Sequence, residues 1–132
     1  MQVNKEPYET DYAKLEFTDG ILRGTFKPGK VSIDIAHRIV EDRLKYTENR
    51  NVPILISDVG LRSIDRAARD YLSSDSGIEG LTASALLTNS AVSKHMANFF
   101  LNITVIRPKI PTKVFSDEGE AVAWLKQYIE QS

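Results

Sequence analysis

The sequence predicts an α/β fold: a mixed, mostly parallel sheet entered through an antiparallel hairpin, in the order ββαβαβαβα with about four helices. Three observations predict it. Asp19-Gly20, a pair favoured in two-residue type I′ turns, joins two apolar runs. Ile54-Leu-Ile56 is continuous rather than alternating, as a strand covered on both faces should be, and Ala83-Ser-Ala-Leu-Leu87 reads as the next buried strand, with small residues that let a helix pack close. The segments around them carry apolar residues at helical spacing.

Residues 1–11 hold Glu6, Glu9 and Asp11 with Pro7 and Tyr8 and show no clear period. They read as a lead-in with a short edge strand around Tyr8, so residues 1–12 are set apart from a domain spanning 13–130. A turn at Asp19-Gly20 pairs Thr18 with Ile21, Phe17 with Leu22, Leu15 with Gly24 and Ala13 with Phe26. Leu15 and Phe17 then share a face with Leu22 and Phe26, while Glu16 and Arg23 share the other, so pattern and turn give one register. Lys27-Pro-Gly-Lys30 ends the hairpin.

Val31 to Asn49 reads as a helix capped by Ser32, with Asp34 in its first turn where the dipole favours an anion. Ile33, Ala36, Val40 and Leu44 form its apolar stripe, with Ile35 and Ile39 beside it. Asp34 with Arg38, and Glu41 with Lys45, have i,i+4 spacing on the wet side. The strand Pro53–Ser57 completes a βαβ unit, for which a right-handed crossover is expected. Ser63 is placed to cap a second helix carrying Ile64, Ala67, Ala68, Tyr71 and Leu72 inward. Ser73 to Gly80 is a Ser- and Gly-rich connection to the strand Ala83–Leu87. Asn89-Ser90 then caps a third helix with Val92, Met96, Phe99, Phe100 and Ile103 at helical spacing. After the stiff Arg107-Pro-Lys-Ile-Pro111, Thr112 to Phe115 is a short last strand. Ser116 or Asp117 caps the final helix, Asp117 and Glu120 having capping-box spacing.

Composition narrows the function classes. A chain of 132 residues with 42% hydrophobic and 27% charged residues fits one soluble domain. Its net charge is −1 with Lys and Arg dispersed, unlike a nucleic-acid groove or a membrane-binding surface. No cysteine is present, which removes disulfides, thiolate chemistry and Cys-based zinc sites. No stretch approaches the roughly 20 apolar residues of a membrane span, and Met1 to Asp11 lacks a signal-peptide core. Cytoplasmic residence is the default expectation.

The Asp-Gly hairpin, the Val52 to Leu72 junction and the ending Thr112-Lys-Val-Phe-Ser-Asp-Glu-Gly-Glu-Ala-Val-Ala-Trp-Leu125 together resemble the STAS fold of the anti-sigma-factor antagonists, also called SpoIIAA-like. They also resemble small bacterial relatives grouped with STAS and the CRAL-TRIO lipid-binding domains, a set without a defined function. In the regulatory antagonists the junction reads approximately Asp-Leu-Ser, a spacer, then Asp-Ser-Ser-Gly, and a partner kinase phosphorylates the second of the paired serines. This chain has Asp58 and then Ser63-Ile64-Asp65-Arg66-Ala67-Ala68. Asp65 carries over, whereas Arg66 and Ala67 stand where the two serines would be. Alanine has no hydroxyl, so the resemblance implies the fold without the phospho-switch at that position.

The carboxyl ends of parallel strands are where open α/β sheets meet ligands. Asp58, Ser63, Asp65 and Arg66 from one junction would there face Asn89, Ser90 and Lys94 from the next. Two helix N-termini with Arg66 and Lys94 nearby could hold a phosphate or carboxylate. Ordinary capping and solvated charge account for the same residues singly, and Asp65 with Arg69 has the spacing of a surface ion pair. The Phe99, Phe100, Ile103, Val105 and Ile106 region is core, a dimer contact, or the mouth of an apolar pocket. No Gly-x-Ser-x-Gly elbow occurs, Ser93 and His95 fall on different sides of a helix, and His37 has no second ligand at metal spacing. The expectation is a non-catalytic STAS-like binding or regulatory module with no cofactor and no metal. Its partner would be another protein, or itself as a homodimer, rather than nucleic acid. The alternative is a small-molecule or lipid-binding protein of CRAL-TRIO type.

Overall fold

The computed structural model describes residues 6–57, 61–87 and 109–130, with residues 61–63 described by their backbone alone. The strands are β1 (Tyr8–Glu9), β2 (Ala13–Thr18), β3 (Ile21–Phe26), β4 (Gly29–Val31), β5 (Val52–Ser57), β6 (Leu61–Ile64), β7 (Leu81–Leu87) and β8 (Thr112–Phe115). The helices are α1 (Ile33–Tyr46), α2 (Arg66–Leu72) and α3 (Glu118–Leu125), the last running into a 3-10 turn at Lys126–Tyr128. Six strands form one sheet in the order β1-β2-β3-β5-β7-β8. β1, β2 and β3 pair antiparallel, and β3, β5, β7 and β8 pair parallel.

The hairpin register is the one predicted, from Ala13 opposite Phe26 to Thr18 opposite Ile21. Asp19 and Gly20 both have positive φ, 55° and 83°, as a type I′ turn demands. At Gly20 the lack of a side chain matters twice, since a Cβ there would also sit 3.1 Å from Ile129 Cδ1.

Helices cover both faces of the sheet. Along β5, Leu55 packs with Ala83, Ala85, Ala121 and Leu125 under α3. Its neighbour Ile54 points the other way, clustering with Leu15, Phe17 and Leu22, and Tyr46 of α1 closes over that cluster. Ile56, on the same side as Ile54, packs with Val31, Ala36, Ala68 and Leu86 where α1 meets α2. The alternation has period two, yet Ile54, Leu55 and Ile56 are all apolar because both sides are covered. Ala83, Ala85 and Ala121 are fully buried, and their small side chains let α3 lie close on β7.

Two helix caps form as the sequence predicts. Ser32 Oγ accepts the Ile35 N–H, and Asp117 accepts the Glu120 N–H at 2.9 Å. α1 ends at Tyr46, three residues before the predicted end, and the chain reverses through Glu48 and Asn49, both at positive φ. Arg43 lies on the buried side of α1 and is 4% exposed. Its guanidinium donates to the carbonyls of Glu79 at 2.7 Å and Gly77 at 3.0 Å, tying down the 73–80 connection. Burial lowers its pKa to about 10, opposed by the nearby charge of Glu79, so it is still cationic at neutral pH.

The start of the second helix is corrected. Ser63 does not cap the second helix: Leu61–Ile64 is a strand, pairing parallel with Gly29–Val31 in a separate two-stranded ladder. Ile64, expected on the helix's inner stripe, belongs to that strand. Local cap chemistry has lost to backbone pairing across more than thirty residues of sequence. The helix expected after Asn89-Ser90 lies outside the described residues.

Candidate partner-binding edge

The parallel strands β3, β5, β7 and β8 all end on one side of the sheet, and the β4–β6 ladder lies where the chain leaves β3 and β5. Gly29 pairs with Leu61, Lys30 with Ser63 and Val31 with Ile64. Immediately after the ladder, the Asp65 N–H donates to the Val31 carbonyl at 2.9 Å. Ser32, the next residue on the other strand, caps α1, and Asp65 is the N-cap of α2. The ladder therefore sets the first turns of α1 and α2 side by side.

Asp65 has extended cap geometry but makes no side-chain cap bond. Its carboxylate stands 3.7 Å from Lys30 Nζ, with both side chains substantially exposed. An exposed pair at that distance contributes little to stability. The i,i+4 pair predicted between Asp65 and Arg69 does not form, and Arg69 Nε is buried with no hydrogen-bond partner. Lys30 was missed as Asp65's partner because nothing in local spacing links residues thirty-five apart.

Arg66 and Ala67, the first two helical residues, are exposed, whereas Ala68 is fully buried against Val31, Ala36 and Leu86. α2 is thus anchored by its third residue and presents the two before it to solvent. On the next turn the Tyr71 ring lies 3.9 Å from the His37 ring of α1, interplanar angle 31°, fixing the two helices against each other. The exposed side of this edge holds Lys30, Asp65, Arg66 and Ala67, three charges and a methyl group with no hydroxyl among them.

Of the sequence-predicted site residues, Asp65 and Arg66 come together here and Ser63 contributes its backbone to the ladder. Asp58, Asn89, Ser90, Lys94, Phe99, Phe100, Ile103, Val105 and Ile106 lie outside the described residues. Among the described residues no group of three or more His, Asp or Glu could hold a metal ion. No described helix is long and apolar enough to cross a membrane.

This arrangement, an antiparallel hairpin leading into parallel strands with helices on both faces, defines a STAS-like, or SpoIIAA-like, α/β module. Among solved structures it is similar to an uncharacterised protein of the DUF3478 family with a SpoIIAA-like fold from Shewanella loihica PV-4. The TM-score is 0.61 at 14% identity, over 86% of this chain and 91% of that one, a likeness of fold alone. Residues 15–129 match the family described as Domain of unknown function (DUF7793), and the chain belongs to that family. No curated protein matches it.

Proposed function

We propose that this protein is a non-catalytic binding or regulatory module that acts through protein–protein contacts at the α2 edge, without a phospho-acceptor serine. The observation that carries the reading is the exposure of Arg66 and Ala67 at the start of a helix whose next residue is wholly buried. A helix start held this way offers a partner a preformed surface, and little of it has to reorganise on binding. At Ala67, where the regulatory antagonists carry their phospho-acceptor, a methyl group replaces the hydroxyl. Recognition here would then be constitutive or governed from elsewhere.

The lipid-binding alternative draws on Phe99 to Ile106 and gains no support from the described core. The experiment is site-specific photo-crosslinking in cells with a benzophenone amino acid at Ala67, and at exposed Lys14 as a control. A discrete adduct expected from Ala67 alone, lost with Arg66→Glu, supports the proposal. Adducts absent at Ala67, or unchanged by Arg66→Glu, would overturn it.

A further inference from the structure

The opposite side of the sheet, at β1, carries a separate observation. β1 has two residues, and residues 6–9 are all exposed, Tyr8 at 43%. Two ladder pairs hold it to β2, Tyr8 with Leu15 and Glu9 with Lys14. Beyond these, Tyr8 stacks on Tyr46 at 6.1 Å, the Tyr46 hydroxyl donates to the Glu6 carbonyl at 2.8 Å, and Glu9 pairs with Lys27. A polar groove of about 640 Å³ runs between this segment and Arg38, Glu41 and Asp42 of α1. The segment therefore forms one wall of a groove, and its residues 6–9 stay exposed.

β2 beneath it is a different kind of strand. It has six residues, no proline, and Ala13, Leu15 and Phe17 buried on one face. The backbone groups of these three point toward the β1 side. The Thr10 N–H donates to the Ala13 carbonyl, and the Phe17 N–H donates to the Tyr46 hydroxyl. Tyr8 faces Leu15, so alternation directs the polar groups of Pro7 and Glu9 outward. Pro7 has no N–H, which blocks addition of another strand outside β1. A chain pairing at this edge has to replace β1.

We propose that residues 6–11 are an exchangeable edge strand, Tyr12 staying with β2 through the Lys27 N–H that its carbonyl accepts at 2.9 Å, and that the occupant replacing them is the same segment of a second copy, giving a strand-exchanged homodimer. Beside the two ladder pairs with β2, the segment is matched by Tyr46 of α1 and by Lys27 just after β3. Tyr8 supplies a ring for Tyr46, Glu9 a carboxylate for Lys27, and Glu6 a carbonyl for the Tyr46 hydroxyl. A second copy brings the identical set, so exchange conserves these contacts. What it gives up is the turn in which Thr10 Oγ1 accepts the N–H groups of Tyr12 and Ala13, each at 3.1 Å.

The chain has no cysteine, so the test is clean. Glu9 and Lys14 face each other at a position without mutual hydrogen bonds, where Cα atoms approach to about 4.5 Å, within disulfide range. The full-length E9C/K14C variant is oxidised over a range of protein concentrations and run without reductant. The expected result is a thiol-reversible covalent dimer whose fraction rises with concentration. An intramolecular link alone at every concentration overturns the proposal. Because that variant loses the Glu9–Lys27 pair, the wild-type chain provides the second measurement. Mixed isotope-labelled and unlabelled copies should give intermolecular NOEs between the Tyr8 and Tyr46 rings, and intramolecular NOEs alone would again overturn it. A dimer formed through α2 would give neither signature, so failure here leaves the reading of the α2 edge standing.

Discussion

The Tyr46 hydroxyl accepts the Phe17 N–H at 3.1 Å and donates to the Glu6 carbonyl at 2.8 Å, standing where one more residue pair of β1 and β2 would close. A side chain from the last turn of α1 thus completes the sheet edge at the point where its outermost strand stops. Tyr46→Phe keeps the ring but leaves the Phe17 N–H without that partner. We expect a loss of about 1–2 kcal/mol, read by urea unfolding, and faster hydrogen exchange at Phe17 than at Leu22 across the hairpin. Unchanged exchange at Phe17 would mean that water substitutes fully for the hydroxyl.

Arg43 spans from α1 to two backbone carbonyls of the 73–80 connection. Replacing it with alanine leaves both carbonyls without the guanidinium and opens a void, for an expected cost of about 2–4 kcal/mol. Arg43→Lys keeps the charge but not the planar fork, and should recover about half of the loss. Denaturation midpoints of the three proteins in one buffer decide the ordering. If lysine equals arginine, charge rather than geometry holds the connection.

Gly77 is sterically excluded from carrying a side chain: a Cβ built there would lie 2.0 Å from the Tyr71 carbonyl oxygen. That oxygen belongs to the backbone of α2, so relief requires the helix end to shift. Gly77→Ala is expected to destabilise the protein by about 3 kcal/mol. The displaced helix end should also disturb the His37–Tyr71 contact, visible as ring chemical-shift changes in proton NMR. A melting temperature within a degree of wild type would contradict it.

Glu9 gives the β1 strand a pH dependence. The hydrogen bond and charge of Lys27 lower its pKa below the ordinary value of 4.5. A depressed folded-state value means the contribution is complete above 4.5 and is lost as pH falls through the folded pKa. Acidification below pH 4.5 should therefore loosen β1 before the core strands, and exchange at Leu15 should accelerate relative to Leu55. Glu9→Gln should remove the difference between neutral and acid conditions. A Leu15 rate independent of pH, after correction for intrinsic exchange, would count against the Glu9–Lys27 pair.

Much of the fold was legible because its signals are local. The Asp19-Gly20 turn dictates the hairpin register through φ alone, and the alternation of β2 agrees with it. Ser32 and Asp117 cap their helices through bonds to residues three positions on, a distance at which sequence and space coincide. The continuous apolar run of β5 revealed that both its faces are covered. Of the candidate edge, Asp65 and Arg66 do stand together at a helix start, while the N-cap was expected two residues early, at Ser63 instead of Asp65.

The remainder follows from contacts that no window of sequence contains. A serine before a helical pattern is a good cap, and nothing near Ser63 says that its backbone will instead pair with Lys30. Once β4 lies alongside, the ladder satisfies two strands' hydrogen bonds, and the helix can begin only after Asp65 has given its N–H to Val31. The same pairing puts Lys30 rather than Arg69 beside Asp65, and a separate long-range fit buries Arg43 against carbonyls thirty-four and thirty-six residues away. The sequence by itself determined the hairpin with its register, the caps of α1 and α3 and the buried strand β5. Tertiary structure decided where α2 begins and which two residues it exposes, because competing backbone partners are ranked only when distant segments meet.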